Sequence, residues 1–218
     1  MKKKIILVAI EFVLLVATLL VLGILYTRNG IAFAYNGFAV DENERVYVGK
    51  SASFISVFEN GEKIGQFRIT NRGYSFTIVD GNTMMCLESA TMLYLDLNIL
   101  LENLPKYSTG YLSEQDICVI KTENMNEQPQ KIVNYFWAKY THNRTFTSST
   151  GINYQLKRHF GKTSIEREDG KVLLESGMGE TVLIVILCIL GLLFIATVYC
   201  SLAFFLPKRI ARGMTKGS

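Results

Sequence analysis

Histidine is nearly missing from this chain. Its 218 residues hold two, His142 and His159, and no His or Cys pair stands at the spacing of metal ligands. There is also no glycine-rich phosphate loop and no nucleophile motif. These gaps remove the sequence signatures of zinc, nucleotide and triad chemistry, so the chain reads as a non-enzyme with no cofactor, no metal and no catalytic residue. A large excess of one charge is missing too: 23 Lys and Arg face 19 Asp and Glu, for a net +4. Seven of those bases sit at the chain tips (Lys2, Lys3, Lys4, Lys208, Arg209, Arg212 and Lys216) and one acid, Glu11, sits in an apolar run, which leaves 16 bases against 18 acids between. The positive balance is therefore a property of the tips and gives no argument for nucleic acid.

What the chain has instead is two long apolar runs, Ile5 to Tyr26 and Val182 to Leu206. At ~1.5 Å per helical residue, each is long enough for the ~30 Å hydrocarbon core of a bilayer. The basic tips outside both runs favour the cytoplasmic side. The expectation is a multi-pass plasma-membrane protein with both termini cytoplasmic and the lipid bilayer as one partner. Its segments would be a cytoplasmic 1–4, a transmembrane helix at 5–26, an extracytoplasmic mainly β domain at 27–180, a second transmembrane helix at 181–206 and a basic tail at 207–218. A cleaved secretory signal ending at Ala32-Phe33-Ala34 is the alternative for the first run, although signal cores span only ~7 to 15 residues.

The stretch between the runs has β character. Phe38-Ala39-Val40 and Arg45-Val46-Tyr47-Val48 flank the polar quartet Asp41-Glu42-Asn43-Glu44. Phe54 to Phe58 and Lys63 to Ile69 bracket Asn60-Gly61, two residues that tolerate the positive φ of a type I′ hairpin. Tyr74 to Val79 leads through Asp80-Gly81-Asn82 into Thr83 to Leu87, and Thr91 to Leu97 follows as a less regular strand. Thr163 to Arg167 returns through Asp169-Gly170 into Lys171 to Leu174. Leu97, Leu100, Leu101 and Leu104 stand at helical spacing before Pro105. Thr122 to Gln130 is polar, contains Pro129 and reads as a loop. Lys131 to Tyr140 fits helix or strand, with its length favouring helix.

An internal repeat is visible: Val40-Asp41 followed by Val46-Tyr47-Val48-Gly49 aligns with Val79-Asp80 followed by Met85-Cys86-Leu87-Glu88. The stretch from Val40 to Gly49, continued by Ile55 to Ile64 with its Asn60-Gly61, resembles the blade sequences of NHL-type β-propellers. The resemblance covers one blade and more loosely a second, and it implies a β-meander or partial propeller-like sheet. It transfers no binding or catalytic residue.

Candidate site residues are few. Lys157, Arg158, His159 and Lys162 form a basic cluster suited to an anionic lipid head or envelope polymer, or else to a solvated turn. Asp41, Glu42, Glu44 and Asp80 sit at strand ends, where either a cation or ordinary turn chemistry accounts for them. Trp137, with Tyr135, Phe136 and Tyr140, reads as core or as an aromatic contact surface. Cys86 and Cys118 lie in apparent strands and form a candidate disulfide pair in an oxidising compartment. Cys188 and Cys200 lie in the second apolar run, where a thiol acts as a small apolar group. Glu11, the one ionisable residue inside an apolar run, has Tyr199 and Ser201 at matching depth as contacts within the membrane, and a protonated or snorkelling carboxyl is the other reading. Asn143-Arg144-Thr145 is a glycosylation sequon.

Two functions follow. One is a non-enzymatic, membrane-anchored binding or scaffolding protein whose β domain recognises a partner protein or an envelope component; a membrane protein partner or a homo-oligomer is expected in either case. The other is an accessory subunit of a membrane transport or secretion complex, assembled through its helices with a membrane protein partner.

Overall fold

A computed structural model describes residues 6, 9–10, 12–21, 35–50, 53–69, 73–159, 162–176, 182 and 185–199. The chain divides into two compact units, one of Met1–Thr27 with Met178–Ser218 and one of Arg28–Gly177.

The first unit is helical where described, at 12–21 and 185–199. The rings of Phe12 and Phe194 lie 6.3 Å apart, centroid to centroid. The expectation of two transmembrane helices is corrected here: among the described residues no helix is long and apolar enough to cross a membrane. The continuous stretches 12–21 and 185–199 extend ~15 Å and ~22 Å at 1.5 Å per residue, short of a ~30 Å core. The multi-pass plasma-membrane placement loses its basis with them. Apolar composition made each run long enough on paper, but no helix among the described residues reaches that length.

The second unit is mainly β, as its turn chemistry predicts, and consists of three four-stranded antiparallel sheets with helices between them. The first sheet takes β1 (Tyr35–Val40), β2 (Val46–Lys50), β3 (Phe54–Glu59) and β4 (Glu62–Arg68) in chain order. The second takes β5 (Tyr74–Ile78), β6 (Thr83–Glu88), β7 (Thr91–Asp96) and β8 (Val119–Asn124), with the short helices α1 (Leu97–Glu102) and α2 (Leu104–Tyr107) inserted before β8. The helix α3 (Gln130–Tyr140) leads to the third, of β9 (Thr145–Thr147), β10 (Asn153–His159), β11 (Lys162–Arg167) and β12 (Val172–Ser176).

Local chemistry explains the connections. Asn60 and Gly61 both have positive φ, 52° and 81°, as the two-residue I′ turn between β3 and β4 requires. The repeat seen in the sequence falls on equivalent places, the turns joining first to second strand in the first two sheets. In one, Asp41 Oδ1 accepts from the backbone N–H groups of Asn43 and Arg45, both at 2.9 Å. In the other, Asp80 Oδ1 accepts from Thr83 N–H at 2.8 Å. The third sheet does the same with a hydroxyl, Ser148 Oγ accepting from Ile152 N–H at 3.1 Å. Side-chain oxygens that satisfy turn amides are the reason Asp and Ser sit there. Asp96 caps α1 by the same means, accepting from Asn98 and Ile99. The leucine spacing predicts one short helix over 97–104, and the chain instead breaks at Asn103 into α1 and α2, with Pro105 in the first turn of α2.

The three sheets share one core. β1 and β2 are buried along their whole length, and Phe38, Tyr47, Phe58, Phe67, Tyr74 and Phe76 are almost wholly withdrawn from water. At ~1.5 to 3 kcal/mol for each large apolar side chain, this aromatic cluster is the main source of cohesion. The Tyr74 hydroxyl ties β5 to the first sheet by accepting from Lys50 N–H at 2.8 Å. A second, smaller cluster covers the other face of the second sheet. There Val133 and Phe136 of α3 close over Leu87, Met92 and Met125. Trp137 and Tyr140 pack against that cluster, so of the two readings of the aromatic group the core one holds for them. Tyr135 alone stays open to solvent.

Candidate binding edge

Each sheet has two terminal strands, and an unpaired strand edge offers a row of backbone N–H and C=O groups to any other strand. β1 and β5 are buried along their whole length and β9 has only three residues, which leaves β4, β8 and β12 as the longer outer edges. The three edges differ in how they are closed. On the face of β4, Leu104 of α2 sits so close to Gly65 that a Cβ there would meet its Cδ1 at 2.9 Å. The end of β4 is occupied as well, since Arg68 O accepts from Leu112 N–H at 2.9 Å and Arg68 bridges Tyr111.

β12 is guarded by charge and by the first sheet's hairpin tip. A groove of about 460 Å³ separates that tip, Asn60-Gly61, from Leu173 and Leu174. Glu44, held at a φ of 60°, accepts from both Arg167 and Lys171 across one end. The hydrogen bond from Lys171 is the main reason its carboxyl lies below the ordinary glutamate range. Arg167 also grips Asp169, whose carboxyl is drawn down to about 2. This ionic clamp ties the β11–β12 turn to the β1–β2 turn.

β8 is the open edge. Ile120, Lys121 and Thr122 are exposed in succession, and a depression of about 380 Å³ lies beside the strand between Thr122, Glu123 and Glu114. The strand is anchored on one side only, through its register with β7: Leu93 opposite Thr122 and Tyr94 opposite Lys121. A bulge follows, for Leu95 pairs with Val119 and Ile120 is the extra residue. Bulges re-aim a side chain, and this one leaves Ile120 59% exposed, next to Ile117 at 66%. On the face shared with Tyr94, Lys121 pairs with Glu123 within the strand. Tyr94 donates its hydroxyl to Glu123 at 3.0 Å and lies under the Lys121 ammonium, 5.2 Å from the ring centroid. Lys121 is raised and Glu123 lowered, each chiefly by hydrogen bonding to the other.

The predicted site residues lie elsewhere. His159 and Lys162 are direct cross-strand partners on β10 and β11. The basic cluster is not a bare patch, because Lys157 pairs with Glu166 at 2.7 Å and Lys162 with Glu175 at 2.5 Å. Strand alternation sends Arg158 to the other face from Lys157 and His159. Cys86 and Cys118 are both buried and stand as free thiols, so the structure contains no bridge between them. Burial pushes both thiols up from the ordinary range, Cys86 well above it. Asp41 is buried and bound to its own turn, to Tyr47 at 3.1 Å and to Arg45 at 3.6 Å, and burial raises its carboxyl. That is the turn reading of the strand-end acids. Among the described residues no group of three or more His, Cys, Asp or Glu is placed to hold a metal ion. Glu11, Ser201 and Cys200 lie outside the described residues, and Tyr199 is 72% exposed.

The residues of the open edge were missed because Thr122 to Gln130 reads as a polar loop. Thr122, Glu123 and Asn124 belong instead to β8, and only then does the chain turn through a short 3₁₀ segment at Met125–Glu127. The signal that marks the strand is the run Ile120-Lys121-Thr122, two β-formers around a charge. No protein-family model and no curated protein sequence matches this chain. Nothing therefore links the three sheets to NHL repeats, and what they share with a propeller blade is the four-stranded antiparallel meander itself.

Proposed function

We propose that the β domain is a non-enzymatic binding module that takes up an extended segment of a protein by strand addition along β8. The observation that carries this reading is the contrast among the longer outer edges: β4 is covered on its face by a helix and paired at its end with Tyr111 and Leu112, β12 faces a hairpin tip and an ionic clamp, and β8 has an exposed edge with Ile120 facing solvent and Ile117 exposed just before the strand. In strand addition, main-chain hydrogen bonds supply affinity and alternate side chains supply specificity. Ile117 and Ile120 would contact apolar side chains of the added strand, while Lys121 and Glu123 would favour charges of opposite sign. The basic cluster at Lys157, Arg158, His159 and Lys162 is a weaker candidate, since two of its four charges are already paired.

Peptides selected for binding to the intact chain from a random displayed library provide the test. Successive amides of a strand point to opposite edges, so proline placed in turn at Lys121 and at Thr122 removes one outward N–H in one variant and one ladder N–H in the other. The outward variant is expected to lose peptide binding by tenfold or more while its melting temperature stays put. Peptides that bind both proline variants as well as they bind the unaltered chain would overturn the reading.

A further inference from the structure

The sequence of β8 is complementary to itself, and from this we infer that the strand added along β8 is the β8 of a second copy of this chain. The inference rests on the strand-addition reading and specifies its occupant. In an antiparallel pair centred on Thr122, Thr122 faces its own counterpart and Lys121 faces Glu123 of the other copy, twice by symmetry. Ile120 then stands opposite Asn124. Lys121 and Glu123 project to the same face, the one shared with Tyr94, so the four charges of the pair alternate in sign around the twofold axis.

Neighbouring registers lack this match. Centring the pair on Lys121 sets lysine against lysine, and centring it on Glu123 sets glutamate against glutamate. A parallel, in-register pair does both. Like charges directly opposite destabilise a strand pair and unlike charges stabilise it, so the charges select one direction and one register. The result is an isologous twofold contact, the commonest form of homo-oligomer, which would join two four-stranded sheets into one of eight strands. The same arrangement closes an edge that otherwise invites uncontrolled pairing. Each copy already holds Lys121 and Glu123 together, on side chains 59% and 34% exposed, so dimerisation extends an existing ion pair into a network.

Charge exchange on the intact chain tests this, with self-association measured by sedimentation equilibrium. The unaltered chain is expected to dimerise, and Lys121→Glu and Glu123→Lys are each expected to weaken the dimer at least about tenfold, since each turns both attractive contacts repulsive. The double variant Lys121→Glu/Glu123→Lys should dimerise again, and an equimolar mixture of the two single variants should form a heterodimer. Melting curves of each variant separate loss of pairing from loss of fold, because an exposed ion pair adds little to the stability of the monomer. A monomeric chain at ~100 μM, well above ordinary interface affinities, would overturn the inference. So would single variants that dimerise unchanged or a double variant that stays monomeric. If the chain is monomeric and selected peptides still depend on the outward proline position, self-pairing fails and strand addition stands. If peptides ignore both prolines, the underlying reading fails with it.

Discussion

Replacing Gly37 with alanine is expected to destabilise the β domain by about 3 to 5 kcal/mol, the sum of a strained backbone and an enforced clash. Gly37 sits in β1 at a φ of +119°, where the register with β2 slips by one residue. A Cβ built there would lie 2.6 Å from the backbone carbonyl oxygen of Tyr140 and 2.9 Å from Asn143 Oδ1. Neither neighbour is a flexible side-chain end: the first is main chain at the end of α3, and the second is held by hydrogen bonds. The strand and the helix end would have to separate, and β1 lies in the buried centre of the unit. Loss of the β-sheet circular dichroism signal with urea reads the effect on the intact chain, and an unchanged midpoint would show that the close approach of β1 to the α3–β9 connection is wrong.

Asn143→Leu is expected to cost about 2 to 5 kcal/mol. Phe38 is 1% exposed, and both of its backbone groups are bonded to this one side chain. Asn143 Oδ1 accepts from Phe38 N–H at 2.8 Å, and Asn143 Nδ2 donates to Phe38 O at 2.9 Å and to Thr145 O at 3.1 Å. The amide thus stands in for a neighbouring strand and joins β1 to the start of β9. Leucine fills a similar volume but leaves a buried donor and acceptor unmade, each worth ~1 to 3 kcal/mol. The same urea titration tests it, and a loss below ~0.5 kcal/mol, the size of an ordinary surface substitution, would contradict the bridging role. The sequon at Asn143 carries a structural amide whatever else happens there.

Much of this fold is legible in the sequence because its turns are written in residues with few alternatives. Asn60-Gly61, Asp80-Gly81 and Asp169-Gly170 mark three hairpins, and the strands on either side bear the β-branched and aromatic residues of a half-buried sheet. The internal repeat at Val40 and Val79 is equally sound, since it marks the same connection in two sheets. The third sheet is less legible. β9 is three residues long, and β10 shows its inward positions, Tyr154 and Leu156, for only half its length before Arg158 takes the next one. β8 is hidden for the opposite reason, because an edge strand facing solvent on several positions has no need of apolar alternation. The terminal runs misled because length and hydropathy alone were read as membrane spans, whereas no described helix attains that length. The setting of the candidate residues chosen by charge or by cysteine count is not legible in the chain order. Lys157 and Lys162 are spent on neighbouring acids, and Cys86 and Cys118 are buried free thiols, facts that depend on cross-strand register and burial rather than on spacing along the chain.

The central claim, that β8 is an edge kept open for another strand, is tested most directly by amide hydrogen exchange on the intact chain at low protein concentration, free and with a selected peptide bound. In the free chain, alternate amides of Val119–Asn124 should exchange orders of magnitude faster than those of Met84 to Leu87 in β6, which is paired on both sides. On binding, those same β8 amides should become protected. Protection of β8 equal to that of β6 in the free chain, or a bound peptide that leaves β8 exchange unchanged, would contradict the claim.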